Sequence, residues 1–267
     1  MENHDYWQKQ EKPLFPDLEW NLPEQKTGKI LVVGGNSQNF STTVRISEFL
    51  SQNFNLEEVR TLLPDSLHGK IPSLPNFTFA PSTDSGSFRK SSELNSALEF
   101  ASTPDIFTVI VGDLSKNSAT SIAFSEALTS AKTAKILLTR DSVDLITPEA
   151  HSFIENENLF FVVSMAQLQK LFRALYYPKV LLLSMPLTPV IEALHKFTLT
   201  YKATILTFHQ NQILIASAGK VVSTPIEKTA YSPISLWSGQ LAAKISAFNL
   251  FNPNQKLEAT SSAIFFQ

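Results

Sequence analysis

The sequence predicts an α/β fold: a mostly parallel sheet covered by helices on both faces, with a late antiparallel hairpin. Three observations carry that expectation. First, apolar β-rich runs of strand length recur along the chain, and the two clearest, residues 29–33 and 106–111, stop at Gly34-Gly35 and Gly112. Runs that are apolar throughout are the signature of strands buried on both faces. Second, stretches with apolar residues at helical spacing lie between these runs, as crossover connections require. Third, His209-Gln210-Asn211 separates two apolar runs, 203–208 and 212–216, closely enough for a hairpin.

Residues 1–27 read as an extended arm, because Pro13, Pro16 and Pro23 interrupt any helix and Trp7, Phe15 and Trp20 stud it. Those aromatics suit packing on the same chain or reaching a neighbouring subunit. Residues 28–267 read as a single domain, with no internal repeat or linker to divide it. After the first strand, Val44, Ile46, Phe49, Leu50 and Phe54 space a helix over 42–54, and residues 56–62 suit a strand or a short helix. Residues 63–87 are rich in Pro, Ser and Asn with little periodicity, and Leu94, Ala97, Leu98 and Ala101 then recur at helical spacing. Beyond the strand at 106–111 come a helix over 119–131, a strand at 135–139, a strand at 158–163 and a helix over 165–174. The apolar run 180–183 reads as a further strand, followed by a helix over 189–201. A loop at 232–239 opens onto a small-residue helix over 240–248.

Composition narrows the function. A net charge of −2, 17% charged residues and no basic cluster argue against a nucleic-acid partner. With no cysteine, disulfides, iron–sulfur clusters and thiolate zinc sites are excluded. The five histidines are scattered without H-x-x-x-H or H-E-x-x-H spacing, so no metal site is expected. No apolar run reaches membrane-spanning length and the N-terminus is polar, so a cytoplasmic chain with no membrane partner is expected. Only 8 of 267 residues are glycine, about 3% against an average near 7%, few for a site that cradles phosphates on bare backbone.

In open α/β sheets, ligands collect beyond the carboxyl ends of the strands. The polar residues expected there are Gly34, Gly35 and Asn36, Gly112 and Asp113, Asp141, Ser164 and His209, joined by the late loop from Ser235 to Gly239. Asp113 and Asp141 suit a metal or general-base role, or equally a turn that satisfies nearby N–H groups. G-x-G-x-x-G, G-x-x-x-x-G-K-[ST] and G-x-S-x-G are all absent. The helix start after Ser238-Gly239 offers N–H groups to an anion, but no carboxylate stands between Lys228 and Leu257.

Taken in order, these strand ends resemble the ribokinase-like superfamily, and within it the ATP/ADP-dependent NAD(P)H-hydrate dehydratases. The resemblance runs from Lys26 to Phe266 and is one of spacing more than identity. Lys26 and Gly28 precede a strand ending Gly34-Gly35-Asn36, where the family has Gly-Gly-Ser, and Phe40-Ser41-Thr42-Thr43 stands for its aromatic-Thr-Gly-Ala. The family's Gly-Pro-Gly-Leu-Gly is similar to Gly112-Asp113-Leu114-Ser115-Lys116, and its Asp-Ala-Asp-Ala-Leu to Thr139-Arg140-Asp141-Ser142-Val143. Its Thr-Pro-His-x-x-Glu turn falls on Val162 to Gln167, so Ser164 replaces His and Gln167 replaces Glu. Val-Leu-Lys-Gly falls on Ile205-Leu206-Thr207-Phe208, and the Gly-[Ser/Thr]-Gly-Asp signature on Leu236-Trp237-Ser238-Gly239, which puts Gly239 at the Asp position. Ala259-Thr260-Ser261-Ser262-Ala263 resembles the closing Ala-Thr-x-Ala helix.

The resemblance implies a three-layer α/β/α ribokinase-like fold. It also implies ATP or ADP and hydrated NAD(P)H as ligands, and candidate ligand contacts at Gly34, Gly35, Asn36, Phe40, Ser41, Thr42, Gly112, Asp113, Asp141, Ser164, Thr207, Ser235, Ser238 and Gly239. Family members are often oligomers, which allows a homo-oligomer here. The departures concentrate at the chemistry, so the expectation is a ligand- or partner-binding pseudoenzyme with no assigned catalytic residue. The alternative is an active dehydratase, or a related kinase, in which Asp113 and Asp141 supply the carboxylates.

Overall fold

Except at residues 180–183, the apolar runs fold as strands and the helically spaced runs as helices in a computed structural model, which describes residues 5–12, 22–71, 75–100 and 103–266. The strands are β1 (Trp7–Lys9), β2 (Lys29–Gly34), β3 (Glu58–Pro64), β4 (Phe77–Ala80), β5 (Ile106–Gly112), β6 (Lys135–Thr139), β7 (Leu159–Ser164), β8 (Thr204–His209), β9 (Gln212–Ser217) and β10 (Lys220–Pro225). The helices are α1 (Ser41–Asn53), α2 (Ser92–Phe100), α3 (Ser118–Ser130), α4 (Asp141–Ile146), α5 (Met165–Ala174), α6 (Leu187–Thr200), α7 (Gln240–Phe251) and α8 (Lys256–Ala263). Among the described residues the strands form one sheet in the order β1-β10-β9-β8-β7-β6-β5-β2-β3-β4. Strands β2 to β8 pair in parallel, β9 runs against β8 and β10, and β1 lies parallel to β10. The expected late hairpin is β8–β9, and it continues into β10.

Side chains alternate along each strand and so divide the core in two. Leu31 and Val33 of β2 pack with apolar residues of α2 to α6, including Leu98, Phe124, Phe172 and Phe197. Ile30 and Val32 face the other way, into Ile46 and Leu50 of α1, Ile245 and Phe248 of α7, and Leu257 of α8. Strand β5 is buried at every position, which is why it is apolar but for the buried Thr108. Helix α7 is buried from Leu241 through Leu250, as a helix apolar nearly all round must be. At the strand ends, helix starts are fixed locally. Asn117 Oδ1 accepts from Thr120 N at 2.8 Å ahead of α3, and Ser164 and Gln167 form a reciprocal capping box on α5.

Several expectations need correction. Residues 180–183 form no strand: Leu181 is buried, whereas Val180, Leu182 and Leu183 are 68%, 52% and 75% exposed. Both edges of β7 are already taken, by β6 and β8, so no neighbouring strand position is open to that run. Residues 58–62 resolve as strand within β3, and β4 lies in the stretch that shows no periodicity. Strand β1 forms inside the arm, where Trp7 Nε1 donates to Ser223 Oγ at 2.9 Å and Tyr6 stacks on His195 with ring centroids 3.8 Å apart. Pro13, Phe15, Pro16, Trp20 and Ala101 lie outside the described residues. No described helix is long and apolar enough to cross a membrane.

The chain leaves β2 toward β3 and β4 on one side and resumes at β5 on the other. The strand order therefore reverses between β2 and β5, the point at which open α/β sheets form a crevice for ligands.

Candidate functional site

At that reversal Gly34 is in register with Gly112, and Gly35 N donates to Gly112 O at 2.9 Å. Gly112 has φ +110°, and a Cβ there would lie 2.1 Å from Asp141 Oδ1, so the turn admits only glycine. The next residue, Asp113, has φ 56°. Arg140, just past β6, has φ 58° and ψ −141°. Left-handed backbone in a non-glycine residue costs on the order of 1–3 kcal/mol and persists only where the surroundings impose it.

What imposes it is a buried fork. Arg140 Nη2 donates to Asp113 Oδ1 at 2.7 Å and Nη1 to Oδ2 at 3.1 Å, with the two side chains 9% and 4% exposed. Asn39 Nδ2 donates to the same Oδ1 at 2.9 Å, and Asn36 Nδ2 donates to Asp113 O at 2.6 Å. Gln167 Nε2 donates to Arg140 O at 2.6 Å and so fixes the strained residue from α5. The Asp141 carboxylate accepts from Asp113 N at 2.9 Å and from Leu114 N at 3.1 Å. Burial pushes the Asp141 carboxyl above its ordinary range, outweighing the Asp113 N–H and the Arg140 guanidinium, which both favour the charged form. Every carboxylate oxygen of Asp113 and Asp141 thus has a donor from this chain.

The late loop closes the other side. Residues Pro233–Ser238 make a short 3₁₀ segment that ends at Gly239, the residue before α7. Gly239 has φ +76°, and a Cβ there would lie 2.2 Å from Ile46 Cδ1 and 3.4 Å from Thr42 Cγ2. The position therefore holds no side chain without moving Ile46. Ser232 N donates to Ser235 Oγ at 3.0 Å, and Ser238 Oγ donates to Ser235 O at 2.8 Å while accepting from Gln240 N at 3.3 Å. Trp237 stands 48% exposed with Arg140 Cζ 5.9 Å from its ring centroid. Beside Trp237 opens a cleft of about 700 Å³ at the ends of β7 and β8, lined among others by Ser164, Leu183, Phe208, His209, Asn211, Ile234 and Leu236.

The residues singled out in the sequence divide accordingly. Gly34, Gly35, Asn36, Gly112, Asp113 and Asp141 come together at the crevice. Phe40, Ser41 and Thr42 open α1 beside it, with Phe40 Cβ 3.2 Å from where a Cβ of Gly35 would stand. Ser164 and His209 border the cleft, whereas Ser235 and Ser238 are held in their own turn. Thr207 is buried within β8, away from the cleft lining, and its Oγ1 has no protein partner among the described residues. Sequence reasoning missed the role of Arg140, whose only signal is a cation between a strand end and an acid. It also missed Leu183, which the strand reading would have buried.

The nucleotide implied by the resemblance fits these residues poorly. A phosphate group draws on cations or an open amide cradle, and among the described residues no Lys or Arg lines the cleft. The adjacent guanidinium is already bound to Asp113, and the position of the family acid is a glycine against Ile46.

No protein-family model matches the sequence, and no curated protein matches it. Solved structures share its fold at low identity. A ribokinase-like superfamily protein from Enterococcus faecalis V583 matches with TM-score 0.63 and 14% identity over 90% of this chain and 79% of that one. An ADP/ATP-dependent NAD(P)H-hydrate dehydratase from Bacillus subtilis, co-crystallized with ATP/Mg²⁺ and soaked with CoA, matches with TM-score 0.58 and 15% identity over 95% and 86%. A phosphomethylpyrimidine kinase from Clostridium difficile 630 matches with TM-score 0.51 and 9% identity over 88% and 97%. With its mostly parallel sheet, late antiparallel hairpin and helices on both faces, the chain has the ribokinase-like fold.

Proposed function

We propose that this chain is a degenerate NAD(P)H-hydrate dehydratase-like protein that binds a ligand or partner at its strand ends and performs no phosphoryl chemistry. The observation that carries the reading is Gly239. It occupies the position at which the resemblance places the family Asp, and its left-handed backbone disfavours a side chain there, where a Cβ would also have to displace Ile46. The two nearby acids are committed elsewhere, Asp113 to Arg140 and Asp141 to two backbone N–H groups. A positioned general base is worth roughly 10²–10⁴-fold, and one anion-hole donor roughly 10²–10³-fold. Loss of the family Asp removes the first of these and leaves little of the family activity, whatever the chain still binds.

The test is to mix the purified protein with hydrated NADH and either ATP or ADP and follow the reduced-nicotinamide absorbance. The expected result is no return of absorbance above the protein-free control. Return of absorbance that is lost in Asp141→Ala overturns the reading and establishes an active dehydratase with rearranged acids.

A further inference from the structure

We propose that the cleft beside Trp237 is a binding site for an uncharged, planar, fused-ring compound and that it selects against phosphorylated ligands. The proposal rests on the reading of the chain as a binding protein and names the ligand class.

The volume of about 700 Å³ lies within the usual range for small-molecule sites, about 300–1,000 Å³. Three large apolar side chains border the cleft while standing in water: Leu183 at 75%, Ile234 at 77% and Trp237 at 48% exposure. Isolated exposed hydrophobes are ordinary, but three converging on one concavity that the buried Phe208 and Leu236 also line are the mark of a binding surface. An indole on the wall offers a ring face for stacking. Ser164 and Asn211, both lining the cleft, supply polar groups that can orient a heteroatom at the edge of the ring.

Charge sets the selectivity. Among the described residues the lining contains no Lys, Arg, Asp or Glu, and its one titratable side chain is His209, which is buried with Nε2 2.8 Å from Met185 O. Arg140 meets the Trp237 ring but is forked onto Asp113 and does not line the cleft. A phosphate entering there would give up hydration without gaining a counter-charge, which is strongly unfavourable, whereas a neutral ring gains apolar burial and stacking.

A matched pair of probes tests this on the full chain. Isothermal titration calorimetry at neutral pH compares 2-naphthol with 2-naphthyl phosphate, which share a ring system and differ in charge. The neutral probe is expected to bind at least about tenfold more tightly. Trp237→Ala is expected to weaken 2-naphthol about tenfold or more, the scale of one ring stack. Ile234→Lys, at a site exposed enough to leave the fold intact, is expected to shift preference toward the phosphate. Failure of 2-naphthol to bind overturns the proposal, as does equal or tighter binding of the phosphate, or 2-naphthol affinity unchanged in both variants. Turnover of hydrated NADH would overturn the binding-protein reading and, because both reactants carry phosphates, this selectivity with it, whereas failure of 2-naphthol to bind without turnover overturns this proposal alone, so the two failures are distinguishable.

Discussion

Asp113→Asn separates a structural acid from a chemical one. Asparagine keeps the shape, tolerates the left-handed backbone at φ 56° and retains an acceptor for Asn39. What it removes is the charge opposite Arg140, whose side chain is 9% exposed and whose Nε already lacks a protein partner among the described residues. Removing one member of a buried pair typically costs about 3–5 kcal/mol, because the other charge stays buried and unpaired. Neither group is exposed enough for solvent to screen the interaction. At about 2–4 °C per kcal/mol for a chain near this size, the variant should melt roughly 6–20 °C lower. Urea unfolding followed by tryptophan fluorescence gives the free energy without added salt. The double variant Asp113→Asn/Arg140→Met should recover most of the loss, since replacing both members of such a pair is often near neutral. A loss below about 1 kcal/mol for Asp113→Asn would refute the reasoning, because exposed pairs are worth that little. The Asp113 carboxylate would then be solvated and available for chemistry.

Three further outcomes follow from the same geometry. Gly239→Ala should destabilise by at least about 1–3 kcal/mol from backbone strain alone, and Gly239→Asp should do the same without producing turnover; thermal melts and the nicotinamide assay check the two parts. Asp141, whose carboxyl is raised by burial, contributes stability that is fully present below the ordinary carboxylate value of about 4 and is lost as pH rises through its higher native value. Urea midpoints measured from pH 4 to 8 should therefore fall less steeply in Asp141→Asn than in the parent, and parallel profiles would contradict this. Trp7→Ala removes the indole bond to Ser223, worth about 0.5–1.5 kcal/mol, and should speed amide hydrogen exchange along β10 while leaving β5 unchanged.

The centre of the fold is legible in the sequence and its margins are not. Strands β2, β5, β6 and β7 bury both faces, so their interiors are apolar, Thr108 of β5 excepted. Strands β1 and β4 are short and only partly buried, held largely by backbone pairing that leaves no pattern in side chains. The run 180–183 shows the converse: four apolar residues satisfy a strand pattern, but only Leu181 is buried. At the site, the strand-end rule locates Gly34, Gly112, Asp113 and Asp141, because a buried strand must turn at its end. It does not supply Arg140, whose fork onto Asp113 depends on two left-handed residues 27 positions apart. Nor does it supply the cleft, which is assembled from five separate segments, or the crowding at Gly239, which is set by Ile46 on a different helix.

We propose that the ribokinase-like framework persists here with its acids turned to structural use. The measurement that tests it most directly is single turnover, with protein in excess over hydrated NADH and saturating ATP or ADP, so that even slow chemistry registers. The absorbance trace is expected to overlay the protein-free control for the parent chain and for Asp141→Ala alike. A parent trace that recovers reduced nicotinamide, and loses that recovery in Asp141→Ala, would contradict it.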